Sequence, residues 1–140
     1  MTRHESRQEA FCLLFEKTFT DMDLQEIIEG ATETRDLKVN AFTMQLARGA
    51  TEHQEEIDAL IESKLKNWKL SRISKVSLSI LRMAVYELKY LNDIPMNVTI
   101  NEAVELAKQY ANEDDYSFIN GVLGSIAKDL DLENKTETKE

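Results

Sequence analysis

Apolar residues recur along this chain at helical spacing in one segment after another. From about Glu5 to Phe19, the positions Ala10, Phe11, Leu14 and Phe15 form one stripe, with Arg3, His4 and Arg7 at its N-terminal end. Asp21 to Asp23 break the pattern, and a short helix with Leu24, Ile27 and Ile28 is expected to stop at Gly30. A third stripe uses Val39, Phe42, Leu46 and Ala50. Thr51 and Gln54 have the spacing of a capping box ahead of Ile57, Leu60, Ile61 and Leu65. A helix start or a bend is therefore predicted near Thr51, with one long helix as the alternative.

Trp68 to Ser74 reads as a connection. The next segment, about Ser74 to Leu91, is the most apolar, with Val76, Ile80, Ala84 and Leu88 in one row and Leu81, Val85 and Leu88 in a neighbouring one. So wide a stripe predicts a central helix packed on more than one side. Asp93-Ile94-Pro95 ends it, because the residue before a proline is pushed out of the helical region. Thr99 and Glu102 repeat the capping-box spacing before Ala103, Val104, Ala107 and Tyr110. Asn112 to Asp115 form an acidic turn with Asp115 as the expected N-cap, and the last helix carries Phe118, Ile119, Val122, Leu123 and Ile126. Gly121 and Gly124 inside it cost about 1 kcal/mol each against alanine, which predicts a neighbouring backbone packed closely on them. Residues 131–140 are charged and lack an apolar period; a disordered tail is expected there, leaving residues 1–130 as one domain.

Composition sharpens the class. One proline and four glycines in 140 residues are too few for the many turns of an all-β chain, so the fold is read as all-α. No apolar run approaches the roughly 18 residues of a membrane span. The polar Met1–Ala10 stretch carries both charges and is no secretory signal, so a cytoplasmic protein is expected. The single Cys12, between Phe11 and Leu13, reads as a small core residue.

The net charge of −9 speaks against bulk electrostatic capture of nucleic acid. Its distribution qualifies that. Residues 21–62 carry −8 and residues 91–140 carry −7, whereas residues 63–90 carry +6 from Lys64, Lys66, Lys69, Arg72, Lys75, Arg82 and Lys89 against Glu87 alone. Charge by itself favours a solvated face complementing acidic neighbours.

Catalytic chemistry finds little support. His4 and His53 neighbour no serine or cysteine in a signature context, and one cysteine with two distant histidines lacks zinc-site spacing. Gly121 and Gly124 lie in a helical pattern without a P-loop lysine, and Glu55-Glu56 and Asp114-Asp115 fit solvated helix ends. No catalytic residue, metal site or cofactor is expected.

One series of motifs points further. Leu81-Arg82-Met83-Ala84-Val85-Tyr86-Glu87-Leu88, Asp93-Ile94-Pro95, Ile100-Asn101-Glu102-Ala103-Val104-Glu105-Leu106-Ala107-Lys108 and Phe118-Ile119-Asn120-Gly121-Val122-Leu123 follow one another in order. Together with Arg3, Arg7, Ala10 and Leu14-Phe15, they resemble the NusB family over nearly all of residues 3–130. The resemblance implies a compact bundle of about seven helices in two subdomains. It also implies pairing with ribosomal protein NusE, binding of single-stranded boxA RNA in ribosomal RNA operon transcripts, and help for RNA polymerase at terminators, without catalysis.

The resemblance further implies that Arg3, His4 and Arg7 meet RNA, joined by Asp114, Tyr116 and Phe118, and that Phe15 meets the partner. Phe118 and Phe15 fit core positions as well. In this light Lys69, Arg72 and Lys75 are candidates for the path of the RNA backbone. A homodimer stays open. Two other readings stand beside this one: a helical protein–protein adaptor or self-associating bundle without specific RNA binding, and the RNA-binding domain of a methyltransferase. The second is disfavoured because no cofactor-binding segment follows residue 130.

Overall fold

The computed structural model describes residues 1–35, 40–66 and 69–138, and Val39 and Trp68 lie outside the described residues. Seven α-helices follow in order among the described residues: α1 (Arg3–Lys17), α2 (Leu24–Arg35), α3 (Ala41–Glu52), α4 (Gln54–Glu62), α5 (Lys75–Tyr90), α6 (Met96–Tyr110) and α7 (Glu113–Thr138). A single 3₁₀ turn, Leu70–Arg72, leads into α5, and no strand occurs among the described residues. None of the described helices is long and apolar enough to cross a membrane.

Short polar side chains set most helix starts, by accepting from backbone N–H groups that have no partner in the first turn. Thr2 and Glu5 close a full capping box on α1. Asp23 accepts from Glu26 N–H at 2.9 Å, Asn40 from Thr43 N–H at 2.8 Å and Ser74 from Ser77 N–H at 3.2 Å.

Several ends differ from the sequence expectation. α2 passes through Gly30, where an added Cβ would meet open space. The chain does break beside Thr51, between α3 and α4 at His53, but the Thr51 hydroxyl donates back to Ala47 O at 2.8 Å instead of capping α4. Thr99 is likewise no cap, because α6 already begins behind Pro95 and Thr99 lies buried within it. Asp115 sits in the first turn of α7, its carboxylate accepting from Asn112 N–H at 3.2 Å.

Two apolar clusters hold the bundle. The smaller joins Leu13 of α1, Leu24, Ile27, Ile28 and Ala31 of α2, and Ala47 of α3. The larger is centred on α5, whose Ile80, Leu81, Met83, Ala84, Val85 and Leu88 are all buried, and α5 packs on α1, α3, α4, α6 and α7. α1 serves both clusters, with Ala10, Phe11 and Leu14 in the larger and Leu13 in the smaller. Cys12 is half-buried against the larger one. The last buried apolar side chain is Leu130, and the backbone of α7 stays helical to Thr138 through the charged stretch that follows.

The glycines are used otherwise than the helix pattern suggests. Gly121 and Gly124 are exposed, and nothing lies within 4 Å of a Cβ built on either. No described neighbour packs on them to offset their low helix propensity. The close approach is at Gly49 of α3, where a Cβ would stand 2.1 Å from the Tyr86 ring of α5.

Polar contacts fasten α4 to α5. Arg82 holds Asp58 with two bonds of 2.8 and 2.9 Å. Glu56 takes both Lys89 and the Tyr90 hydroxyl, and the His53 ring stacks on Tyr90 at 4.3 Å. The bonds from Lys89 and Tyr90 lower the pKa of Glu56, while the Glu56 carboxylate pushes the Tyr90 phenol up to about 12.

Candidate nucleic-acid interface

The capping box that starts α1 presents Arg3 and His4 on its first turn. The Arg3 side chain is exposed, and its guanidinium lies over the Phe42 ring of α3 at 4.1 Å. Such stacking leaves the edge N–H groups of the guanidinium facing outward. His4 is half-buried, with Nδ1 2.8 Å from Oε2 of Glu102 on α6. Gln8 continues the seam by donating to Gln109 of α6 at 2.9 Å.

Arg7 is placed differently from the sequence expectation. Its side chain is only 4% exposed, and it meets Glu87 of α5 through Nε at 3.0 and 3.2 Å and Nη2 at 2.8 Å. The Thr99 hydroxyl donates to the same carboxylate at 3.3 Å. A guanidinium enclosed in this way offers nothing to a ligand outside. The helical stripe explains the placement, because Arg7 precedes Ala10, Leu14 and Phe11 by three, seven and four positions and falls on their buried face. Arg7 thus aligns the end that carries Arg3 and His4.

The far end of α1 carries an aromatic ladder. Phe11 stacks on Phe15 with ring centroids 5.9 Å apart, and Phe19 meets Phe15 edge-on at 5.0 Å. Phe15 is half-buried against the larger cluster, whereas Phe19 is 62% exposed. Lys75, the first residue of α5, sets its ammonium 4.1 Å from the Phe19 ring centroid. Beside this tip lies a groove of about 310 Å³ bounded by Lys17, Thr18, Gln54, Lys75, Leu78 and Arg82. Sequence reasoning missed Phe19 as a surface residue, although the spacing of Phe11, Phe15 and Phe19 by four was a usable signal.

The basic belt divides in two. Lys64 pairs with Asp129, Arg82 with Asp58 and Lys89 with Glu56, so three of its seven cations neutralise α4 and α7. Lys66, Lys69 and Arg72 are exposed and form no ion pair among the described residues.

At the start of α7, Asp114 is exposed and Tyr116 is half-buried, with the Lys108 ammonium 5.8 Å from its ring centroid. Phe118 is half-buried against the larger cluster, combining the core and surface readings. His4 and Tyr116 border the same helix, α6, at Glu102 and Lys108. Six residues of α-helix separate those positions, about 9 Å along the axis. Lys75 lies instead toward the other end of α1, whose 15 residues span about 22 Å.

Comparisons with known proteins bear on this arrangement. Residues 4–128 match the model of the NusB family. The transcription antitermination protein NusB of an Exiguobacterium species is 46% identical over 129 residues, covering 92% of this chain and 99% of that protein. The Bacillus subtilis protein of the same name is 42% identical over 131 residues, covering 94% and 98%. Among solved structures, Thermotoga maritima NusB superposes with a TM-score of 0.83 at 38% identity, covering 91% of this chain and 92% of that one. A crystal structure of antitermination factors NusB and NusE in complex with double-stranded RNA gives 0.80 at 31% identity, covering 91% and 98%.

Proposed function

The chain belongs to the NusB family, and from that premise we infer that it is an RNA-binding transcription antitermination factor. It pairs with ribosomal protein NusE, binds boxA-type RNA in ribosomal RNA operon transcripts and helps RNA polymerase pass terminators. The observation that carries this reading is the likeness, over 91% of this chain, to a NusB solved together with NusE and RNA. The role is one of binding rather than catalysis, exercised in the cytoplasm beside the polymerase.

The residues divide the work by chemistry. Arg3 and His4 offer N–H groups to phosphates at the open end of α1. Asp114 accepts from a base amino group, while Tyr116 and the exposed edge of Phe118 offer faces on which an unpaired base stacks. Lys69 and Arg72, unpaired among the described residues, attract the RNA backbone. Phe15, together with Phe19 and Lys75 at the far end of α1, receives the protein partner. Two modest RNA sites on one heterodimer act at high effective concentration, so the pair binds far more tightly than either subunit.

Fluorescence anisotropy of a labelled boxA-type RNA tests the reading. It is titrated with this protein, with NusE and with both, at two salt concentrations. Sequence-selective binding that strengthens sharply with both proteins is expected. An affinity of NusE left unchanged by this protein would refute the role.

A further inference from the structure

We propose that Glu102 is an internal counter-ion which RNA has to outcompete at the open end of α1, and that it thereby limits the affinity of this chain for RNA. The inference rests on the reading that RNA meets this end through Arg3 and His4. One oxygen, Oε2 of Glu102, lies 2.8 Å from His4 Nδ1 and 4.0 Å from Arg7 Nη1. The Glu102 side chain is 28% exposed, so its charge is felt at the surface.

The neighbouring charges do not cancel it. Arg7 is already matched by Glu87 inside the bundle, and that pair carries no net charge outward. Glu5, exposed and hydrogen-bonded only to neutral Thr2 groups in the cap, adds a second negative charge at this end. What an approaching phosphate meets is Arg3, the terminal ammonium of Met1, His4 and the Glu5 carboxylate, with the Glu102 carboxylate alone set directly against the imidazole.

The sign of the effect is the same for either protonation state of His4. With a neutral imidazole the His4–Glu102 pair carries one negative charge, and with an imidazolium it carries none. Exchanging Glu102 for glutamine leaves the pair neutral or positive, while the carboxamide oxygen still accepts from Nδ1–H. The exchange therefore never makes the cluster more negative. A unit charge removed within a few ångströms of a surface phosphate site corresponds to roughly a three- to tenfold gain in affinity at low salt.

The test compares wild type, Glu102→Gln and Glu105→Gln, each with NusE, on a labelled single-stranded RNA of boxA type at two salt concentrations. Glu105 is exposed on the same helix, 3.5 Å from Lys108, and controls for overall charge. Expected is roughly three- to tenfold tighter binding by Glu102→Gln at low salt, with a steeper salt dependence, and less than about a twofold change for Glu105→Gln. Glu102→Ala provides a second charge-removing variant should the first lose helical content by circular dichroism. Equal gains from Glu105→Gln, or unchanged or weaker binding by folded Glu102 variants, would overturn the proposal. Failure of the wild type to strengthen RNA binding by NusE would instead remove the reading beneath it, before any variant is compared.

Discussion

Arg7 and Glu87 meet face to face inside the bundle, their side chains 4% and 1% exposed, and so tie the first helix to the central one across 80 residues of sequence. A buried pair is a poor source of net stability but is expensive to break, because the survivor is left as an uncompensated charge. Arg7→Ala is expected to destabilise the fold by about 3–5 kcal/mol in urea denaturation. Arg7→Met combined with Glu87→Leu removes both charges and should recover most of that loss. If Arg7→Ala weakens RNA binding while leaving stability unchanged, the guanidinium is a ligand contact after all.

The glycines should respond with opposite signs. Gly49→Ala drives a methyl group into the Tyr86 ring, which is buried and stacked on Tyr90 at 5.4 Å. Overpacking of this kind costs about 1–3 kcal/mol and outweighs alanine's better helix propensity. Gly121→Ala and Gly124→Ala add a methyl group in open space and should each stabilise by up to about 1 kcal/mol. Thermal melts followed by circular dichroism separate the two cases.

The Glu56–Tyr90 bond links stability to alkaline pH. The Tyr90 phenol has its pKa raised from 10.0 to about 12 by the Glu56 carboxylate, so its contribution is complete below pH 10 and disappears as the pH climbs toward 12. Glu56, with its pKa lowered from 4.5, contributes above that value and loses its part as the pH falls through the lowered one. The pair is largely exposed, so Tyr90→Phe should cost about 1 kcal/mol or less at neutral pH. In a phenolate absorbance titration that variant should lack the latest-titrating tyrosine. A wild-type profile with no tyrosine titrating late would contradict the assignment.

Lys69→Glu with Arg72→Glu should weaken binding of RNA to the heterodimer and flatten its salt dependence. Each lost phosphate contact removes about 0.7 from the slope of log affinity against log salt for a single strand, so the pair removes about 1.4. Lys75 is left in place because it lies against Phe19. An unchanged slope would exclude both residues from the RNA path.

Phe19→Ala should separate partner binding from folding. The ring is 62% exposed, so the melting temperature should hardly move. Loss of an aromatic anchor at an interface commonly costs at least 1–2 kcal/mol, and affinity for NusE should fall about tenfold or more. Titration calorimetry with NusE reads this directly, and unchanged affinity would move the partner surface elsewhere.

Helices were legible wherever an apolar stripe reached the core. The rows of Ile80, Ala84 and Leu88 and of Leu81, Val85 and Leu88 identify α5 because a helix enclosed on several sides needs more than one apolar row. Cap spacing was less informative: Thr51 and Thr99 carry the right residue three positions ahead of Gln54 and Glu102, yet both hydroxyls serve other acceptors. A hydroxyl bonds to whichever carbonyl or carboxylate the fold brings near, and that choice depends on distant helices. The same holds for the site. The stripe of Ala10, Phe11 and Leu14 marks Arg7 for the buried face, but its counter-charge Glu87 and the His4 partner Glu102 lie 80 and 98 residues away, where no local pattern announces them.

The seam between α1 and the carboxy-terminal helices also has a meaning in time. During synthesis Arg7 leaves the ribosome 80 residues ahead of Glu87, and Gln8 leaves 101 ahead of Gln109. At about 5–20 residues per second, the first helix waits roughly 4–16 s for its counter-charge. Throughout that interval Phe11 and Leu14 lack the central helix they finally cover, and only the earlier helices, above all α2 and α3, are there to shelter part of α1. The newborn chain must therefore complete its bundle from the back, with the last helices made closing over the first.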